Sequence, residues 1–338
     1  MARIAIIFTG GTISMRHDPG STGNVPSLRG ADLLEAVPGL DELAEVEPID
    51  WGLVPASHLS FDQVLEIGRI LAQQLARPEI DGAVVVQGTD VMEETSFAWD
   101  LLPLSSKSVV VVGSMRSASQ EGYDGPENLR NAVAAAAEPA MAAQGVVVAM
   151  AGELHAADDV RKTHSHAFAT FQSPNAGPVG SVSDGRVTLI RSRRAAHLPL
   201  IPDRAALPVH LVTAVLEADP AAADYLLHPL PRGLVVAATG GGNTAPWLLD
   251  LARHAMDQGV PVVLTTRCPS GSAQPGYAFR GGSSQWWESG AVFSGTLDGL
   301  KARVLLALGI GAGLSLDALA GLLEAYGGGR STHRRPDW

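Results

Sequence analysis

The sequence predicts an α/β fold, with a larger N-terminal domain built on a mostly parallel sheet flanked by helices and a smaller C-terminal α/β domain. Three observations support this prediction. A chain of 338 residues with 46% hydrophobic content can bury a large core. Short runs rich in Val and Ile alternate with longer segments rich in Ala and Leu, as in parallel strands joined by helices. A proline-containing stretch without clear periodicity separates the two halves.

The individual elements follow from these patterns. Apolar runs predict strands at residues 3–8, 83–87, 108–113, 146–150, 234–238 and 260–265. Helical spacing of apolar residues predicts helices at 61–76, 126–137, 245–257, 297–308 and 316–325. The stretch with Pro199, Pro202 and Pro208 reads as a linker, which gives domains at 1–190 and 211–338 with the linker at 191–210.

Charge and composition narrow the function classes. The balance of 24 Lys+Arg against 35 Asp+Glu gives a net charge of -11, which disfavours nucleic acid and anionic membranes as partners. The single cysteine, Cys268, cannot form an intrachain disulfide, which slightly favours a protein of a reducing compartment. The first apolar run, residues 4–8, is too short for a signal peptide, and no run approaches the roughly 20 residues of a membrane span. We therefore expect a cytoplasmic protein.

Ligands bind outside the carboxyl ends of parallel strands, so polar residues that directly follow the predicted strands are the candidates for a site. Three loops qualify. The first, at 9–14, carries Thr12 behind a glycine pair; the second, at 87–90, places Thr89 beside Asp90; the third, at 158–163, contains Lys162. Taken singly, they could be an ordinary strand-to-helix turn, a helix cap and a solvated lysine. Their combination favours a catalytic site.

A threonine hydroxyl is a weak nucleophile that needs a neighbouring base, and a desolvated lysine amine can act as one. The set of residues therefore suits acyl transfer. A serine hydrolase is disfavoured because the chain contains no Gly-x-Ser-x-Gly elbow. His155, His164 and His166 lack a carboxylate or cysteine at ligand spacing, so we expect no metal site.

These residues belong to motifs of a known family. The segments that match are Thr9-Gly-Gly-Thr-Ile13, Gln87-Gly-Thr-Asp-Val-Met-Glu-Glu-Thr95, Gly113-Ser-Met-Arg116 with Asp124-Gly-Pro-Glu-Asn-Leu129, Asp159-Val-Arg-Lys-Thr163, and Ser294-Gly-Thr-Leu297 with Lys301-Ala-Arg-Val-Leu-Leu306. In this order and over nearly the whole chain, they resemble the bacterial-type L-asparaginases, the asparaginase/glutaminase family. The resemblance implies a hydrolase that converts L-asparagine to L-aspartate and ammonia through an acyl-enzyme.

The resemblance also implies roles for particular residues. Thr12 would be the primary nucleophile, and Thr89, Asp90 and Lys162 would form a second hydroxyl–carboxylate–base set. The pocket would further include Gly11, Gly88 and the backbone of Thr89, with Asp90 on the substrate's α-ammonium and Ser57 on its α-carboxylate; a shift of one residue would put Ala56 in the place of Ser57. The family further implies no cofactor and a homodimer or homotetramer in which the small domain of one subunit closes the active site of another.

The sequence departs from the family pattern in two places. Many members carry a tyrosine in the loop after the first motif, whereas residues 15–28 contain none and the best register places Gly23 there. A glutamate contributed by the neighbouring subunit is also missing, and its position falls near Tyr277, whose hydroxyl is a candidate replacement. The alternatives are therefore a glutaminase, a hydrolase of another small amide, or a homologue that binds amino acids with impaired catalysis.

Overall fold

The computed structural model describes residues 1–20, 22–142, 144–193 and 199–328. The chain forms two compact units, Met1–Arg193 and Arg194–Trp338. Their boundary falls inside the stretch 191–210, for which the sequence predicts a linker. Residues 194–198 of that stretch lie outside the described part of the chain.

The strands of the first unit form one large sheet and two short antiparallel ribbons. In chain order they are β1 (Ala2–Phe8), β2 (Met15–His17), β3 (Asn24–Pro26), β4 (Ala44–Asp50), β5 (Gly82–Val86), β6 (Ser108–Val112), β7 (Val146–Met150), β8 (Glu153–Ala156), β9 (Arg161–Lys162), β10 (Phe171–Gln172), β11 (Gly180–Ser183) and β12 (Arg186–Leu189). The large sheet has the order β12-β11-β8-β7-β6-β5-β1-β4, while β2 pairs with β3 and β9 with β10.

The strand order creates a switch point between β1 and β5. Strand β1 pairs in parallel with β4 on one side and with β5 on the other, and β6 and β7 continue the parallel sheet beyond β5. The chain therefore leaves β1 towards β4 but leaves β5 towards β6, in the opposite direction. The loops that follow β1 and β5 diverge, and such a crevice at the carboxyl ends of the strands is where open α/β sheets bind ligands.

Helices cover this sheet, and its central strands are buried along their whole length. The helices of the first unit are α1 (Gly30–Glu35), α2 (Phe61–Leu75), α3 (Met92–Asp100) and α4 (Gly125–Ala137). Every residue of β5, β6 and β7 is buried, as expected for parallel strands covered on both faces. Helix α2 begins with a capping box, in which the Ser60 hydroxyl accepts from the Gln63 amide and the Gln63 side chain accepts from the Ser60 amide.

Strand β4 forms one edge of the sheet, and its exposed positions carry charge. Glu45 accepts from the Arg3 guanidinium at 2.7 Å, and Glu47 accepts from Arg77 Nη2 at 3.0 Å. Glutamates interrupt the apolar residues and hide this strand from a search for apolar runs, so the sequence analysis missed it. It also missed the antiparallel strands β8, β11 and β12, which are four residues long each. The predicted strands at the centre of the sheet are confirmed to within a few residues.

The second unit is a smaller α/β assembly. Its elements are β13 (Val209–Thr213), α5 (Ala222–Leu227), β14 (Gly233–Ala238), α6 (Pro246–Asp257), β15 (Val262–Thr266), α7 (Ser283–Glu288), β16 (Val292–Phe293), α8 (Gly299–Gly311) and α9 (Leu316–Gly327). The strands pair in parallel in the order β13-β14-β15-β16. Helix α8 packs closely on β14, since a Cβ atom on Gly233 would lie 2.6 Å from Leu306 Cδ2. The predicted fold class is thus confirmed.

In the part of the chain that the structure describes, no helix is long and apolar enough to cross a bilayer.

A buried ion pair begins helix α8. The Lys301 side chain is fully buried, and its Nζ donates to Asp298 Oδ2 at 2.9 Å. Asp298 Oδ1 also accepts from the backbone amides of Leu300 and Lys301, so one carboxylate both caps the helix and partners the ammonium.

We predict that Asp298→Ala lowers the free energy of unfolding by about 3–5 kcal/mol, because it leaves a buried ammonium without this counter-charge and removes the cap. Urea denaturation followed by circular dichroism measures the loss. Asp62→Ala, at an exposed position in the first turn of α2, is the control and should cost under about 1 kcal/mol. Equal effects of the two substitutions would contradict the prediction.

Candidate active site

Direct backbone contact joins the loops that follow β1 and β5. Gly11 has a φ of 93°, and a Cβ atom there would lie 2.2 Å from the Gly88 amide nitrogen. Gly10 has a φ of 106°, and a Cβ atom there would lie 2.8 Å from the Val54 nitrogen. Only glycine fits such positions, both because of the left-handed backbone and because of the space. The glycine pair therefore brings the Thr12 turn against the loop that carries Thr89.

A third segment completes this contact. Residues Ala56–His58 form a single 3-10 turn, and a Cβ atom on Gly88 would lie 2.9 Å from Ala56 Cβ. Ala56 is buried at this contact, whereas Ser57, the predicted α-carboxylate ligand, is exposed. The structure thus places both candidates for the family's serine position on the same turn, and it is Ala56 that packs against the Thr89 loop.

Thr12 is the first residue of the 3-10 turn Thr12–Ser14 and is half-buried. The turn is closed by the amide of Ser14, which donates to the carbonyl of Gly11 at 2.9 Å. Within the described residues, the Thr12 hydroxyl has no hydrogen-bond partner among the protein's own side chains. A base in contact with Thr12 therefore has to come from elsewhere or from a rearrangement of the loop.

Thr89, in contrast, has a lysine side chain in contact. Lys162 Nζ lies 2.9 Å from Thr89 Oγ1 and 3.0 Å from Asp90 Oδ1. Thr89 is buried, the Lys162 side chain is 16% exposed and Asp90 is 64% exposed. The Lys162 nitrogen therefore contacts one buried and one exposed partner. The structure brings together three of the four catalytic residues that the resemblance implies, although they are 72 and 73 positions apart in sequence.

Two further contacts hold this cluster, and sequence analysis did not assign either. The backbone amide of Lys162, in the β9–β10 ribbon, donates to Glu93 Oε2 at 3.1 Å, which ties the lysine to the first turn of α3. Gln87, fully buried at the end of β5, donates through Nε2 to Thr95 Oγ1 at 2.7 Å. A polar residue that ends a wholly apolar strand is the sequence signal that could have pointed to Gln87.

The segment that lacks the family's tyrosine contains the paired strands β2 and β3, and residue 21 between them lies outside the described part of the chain. The Met15 carbonyl accepts from the Ala118 amide at 3.0 Å, and the His17 amide donates to the Ser119 hydroxyl at 2.9 Å. The β2–β3 pair is therefore joined to the loop between β6 and α4. Gly23, at the position predicted for the missing tyrosine, faces open space, since a Cβ atom there would meet no atom within 4 Å.

A tyrosine does lie next to the Thr12 turn, but it comes from the β6–α4 loop. The Tyr123 hydroxyl donates to the carbonyl of Ile13 at 2.7 Å. Burial, with a smaller contribution from the neighbouring Asp124 carboxylate, raises the pKa of Tyr123 to about 12. Its phenol is therefore protonated and acts as a donor at neutral pH.

Tyr277 belongs to the second unit and is half exposed. Its ring lies 5.9 Å from that of Phe279, centroid to centroid, and contacts the glycine turn after β14, where a Cβ atom on Gly241 would be 3.6 Å from the ring. Ring contacts hold the side chain, and a large part of its surface is free to meet another molecule.

Other titratable groups lie outside this cluster. His155 is buried, its Nδ1 lies 3.0 Å from the Ser173 hydroxyl, and burial lowers its pKa to about 4. Burial raises the pKa of Asp158 to about 6. Across the described ranges no group of three or more His, Cys, Asp or Glu residues is arranged to hold a metal ion.

Comparison with known protein families gives two matches that together span most of the chain. Residues 3–195 match the family model described as Asparaginase, N-terminal. Residues 208–323 match the Glutaminase/Asparaginase C-terminal domain.

Individual proteins with similar sequences and structures cover nearly the same range. A probable periplasmic L-asparaginase of Haemophilus influenzae is 34% identical over 317 residues, which is 92% of this chain and 89% of that protein. The L-asparaginase 2 of Escherichia coli is 32% identical over the same fractions. The crystal structure of a probable cytoplasmic L-asparaginase from Campylobacter jejuni superimposes with a TM-score of 0.85 at 29% identity, covering 98% of this chain and all of that one.

The contact between Gly11 and Gly88 leads to a stability prediction. We expect Gly11→Ala to lower the free energy of unfolding by about 3 kcal/mol or more, because it adds a steric clash with the Gly88 backbone to the strain of a positive φ. Gly313→Ala is the matched control, since Gly313 also has a positive φ (76°) but a Cβ atom there meets nothing within 4 Å. It should cost about 1 kcal/mol. Equal losses in urea denaturation would show that the close approach is unimportant.

Proposed function

The chain belongs to the asparaginase family, and on that premise we propose that it hydrolyses the side-chain amide of L-asparagine to L-aspartate and ammonia. The single observation that carries this proposal is the Thr89–Lys162–Asp90 cluster beside the Thr12 turn, at the switch point of the sheet. Two hydroxyls, an amine and a carboxylate at the mouth of one crevice suit attack on a small amide that carries charged groups.

In the proposed reaction, Thr12 is the primary nucleophile. Its Oγ1 bonds to the amide carbon while its proton passes to the departing nitrogen, which leaves as ammonia. The ester that remains on Thr12 is cleaved by water, which releases the carboxylate and returns a proton to the threonine oxygen. The amide of Thr89 is a candidate donor to the oxyanion, since Thr89 lies on the loop that contacts the Thr12 turn.

Thr89, Asp90 and Lys162 are proposed as the second catalytic set. Lys162 contacts both partners and is largely removed from solvent, which is the setting in which a lysine amine can relay a proton. Asp90 is exposed enough to reach the α-ammonium of a bound amino acid while it keeps its contact with the lysine.

The remaining pocket residues are also proposals. Gly11 and Gly88 would admit the substrate close to the backbone, since neither carries a side chain at the point where the loops meet. Ser57 is proposed for the α-carboxylate, with Ala56 as the alternative; both lie on the turn next to Gly88. Glutamine remains a second candidate substrate, because the C-terminal half matches a domain described for glutaminases as well as asparaginases.

The absence of a tyrosine in the β2–β3 segment favours one competing function. A homologue that binds an amino acid without hydrolysing it would need the pocket but no activated Thr12. The contact between Lys162 and Thr89 argues against this alternative, because a protein that only binds an amino acid does not need a lysine in contact with a threonine hydroxyl.

We propose a cytoplasmic location and a homodimer or homotetramer. The similarity to a probable cytoplasmic enzyme of Campylobacter jejuni supports the location, whereas the similarity to a probable periplasmic enzyme of Haemophilus influenzae leaves the periplasm as the alternative. In the oligomer, Tyr277 would contribute its hydroxyl to the site of a neighbouring subunit, and its half-exposed ring is compatible with that role.

The proposed function predicts the outcome of an ammonia-release assay. With asparagine, glutamine, D-asparagine and other small amides as substrates, we expect the highest kcat/KM for L-asparagine. Thr12→Ala should lower kcat by about 1,000-fold or more, and Lys162→Met by about 100-fold or more. Thr213→Ala, an exposed threonine in the second unit, is the control. Binding heat in calorimetry without ammonia from any amide would instead identify a binding protein.

The proposal for Tyr277 predicts complementation between subunits. Thr12→Ala and Tyr277→Phe homo-oligomers should both be impaired, but a mixed oligomer should recover about half of the wild-type activity per dimer, because one of its two sites is intact. Differently tagged subunits, co-expressed and purified through both tags, provide the mixed species. Unchanged turnover of Tyr277→Phe alone, or impaired homo-oligomers without recovery in the mixture, would refute a contribution across subunits.

A further inference from the structure

The Thr12 turn has little local restraint of its own. Two glycines with positive φ precede it, and a single 3-10 turn follows, closed by the hydrogen bond from the Ser14 amide to the Gly11 carbonyl. Glycine has more conformational freedom to lose than any other residue, so the position of Thr12 depends on contacts from outside the turn. Upstream, that contact is the close approach of Gly11 to Gly88.

Downstream of Thr12, Ile13 is fully buried, the Ser14 carbonyl accepts from the amides of Ser27 and Leu28, and Tyr123 makes the side-chain hydrogen bond to the turn. Its hydroxyl donates to the Ile13 carbonyl at 2.7 Å, one residue after the proposed nucleophile. The peptide group that follows Ile13 is planar, so fixing its oxygen also fixes the amide of Ser14, which closes the turn onto Gly11. The hydrogen bond therefore acts on the same turn that orients Thr12.

Tyr123 is itself held firmly. It directly precedes Asp124, whose carboxylate accepts from the amides of Met115 and Arg116 and from the Asn128 side chain. The Tyr123 ring is also wedged against the start of α4, where a Cβ atom on Gly125 would lie 2.4 Å from the phenol oxygen. The Tyr123 hydroxyl is thus held by the start of α4 and not by the Thr12 turn to which it donates.

The chemistry of the phenol decides between two roles. A tyrosine that activates a nucleophile must accept a proton, whereas the Tyr123 hydroxyl already donates its only proton to a carbonyl. Its pKa of about 12 keeps it protonated at neutral pH. The remaining role is positional.

We propose that Tyr123 is a positioning residue for Thr12. From the start of α4, its hydrogen bond to the Ile13 carbonyl restrains the Thr12 turn, and the β2–β3 segment has no tyrosine that could do the same. This inference rests on the proposed role of Thr12. Removal of the hydroxyl leaves the chemical groups of the site intact but lets the turn sample other orientations. The fraction of enzyme with Thr12 in a productive orientation falls, and kcat falls with it, while substrate binding through Asp90 is retained.

The test compares Tyr123→Phe with wild type in the full chain. We expect kcat for the best amide substrate to fall about tenfold, KM to change less than threefold, and the shape of the pH–kcat profile from pH 6 to 10 to stay the same. The thermal midpoint should fall by about 2–4 °C, as for the loss of one hydrogen bond. Tyr225→Phe, which removes the same group from an 84% exposed tyrosine, is the control and should change none of these.

Three results would overturn the proposal. An unchanged kcat, with or without a lower thermal midpoint, would show that the bond only stabilises the fold. Loss of a titration from the pH profile would make Tyr123 a proton-transfer group. A fall in the thermal midpoint of more than about 10 °C would make it a general structural residue. Wild-type ammonia release decides the proposed function separately: if wild type hydrolyses no amide, the function fails before any variant is compared.

Discussion

The close approach of Gly11 to Gly88 is the constraint on which the rest of the candidate site depends. The two loops leave neighbouring strands in opposite directions, so they would separate unless their backbones met at the edge of the sheet. Because neither residue carries a side chain, the approach is close enough to put the Thr12 turn and Thr89 on the same small surface. The Ala56–His58 turn also packs against Gly88. The site is thus assembled from main-chain contacts, and its side chains are placed by the topology of the sheet.

Around this backbone contact, polar side chains are held from several sides. Lys162 reaches Thr89 from a short ribbon whose backbone is tied to Glu93, and Gln87 ties the end of β5 to Thr95 in α3. The bonds to Glu93 and Thr95 both end near the start of α3, so the position of Lys162 and that of the end of β5 are set by a common element. The Thr12 turn also receives a hydrogen bond from a different part of the chain, from Tyr123 in the loop that leads into α4 to the Ile13 carbonyl. The two hydroxyls therefore share the contact between Gly11 and Gly88 but differ in the further hydrogen bonds that hold them.

Much of the fold and part of the site could be predicted from the sequence. The central strands could be predicted because parallel strands covered on both faces are uninterrupted apolar runs. Thr89 and Asp90 could be predicted because they follow such a strand, and Lys162 because it lies in a recognisable motif. Strand β4 could not be predicted in this way, since its two glutamates interrupt the run of apolar residues. The contact of Tyr123 with Ile13 joins residues 110 positions apart, and no periodicity or spacing records it. Side-chain contacts to backbone carbonyls leave almost no mark on sequence, because the acceptor is the same at every residue.

The charged edge strand β4 has a consequence for how copies of the chain can meet in a crowded cell. An exposed strand edge offers unpaired backbone groups to any other strand, and an acidic edge discourages that pairing. Glu45 and Glu47 are each paired with an arginine, so a strand that docked here would have to desolvate these ion pairs, and two copies that each carry a net charge of -11 repel each other. Extension of the sheet from molecule to molecule is therefore opposed electrostatically, and this repulsion weakens as salt screens it. The charged edge therefore opposes aggregation by strand pairing but leaves the chain able to form an ordered oligomer through a self-complementary surface elsewhere.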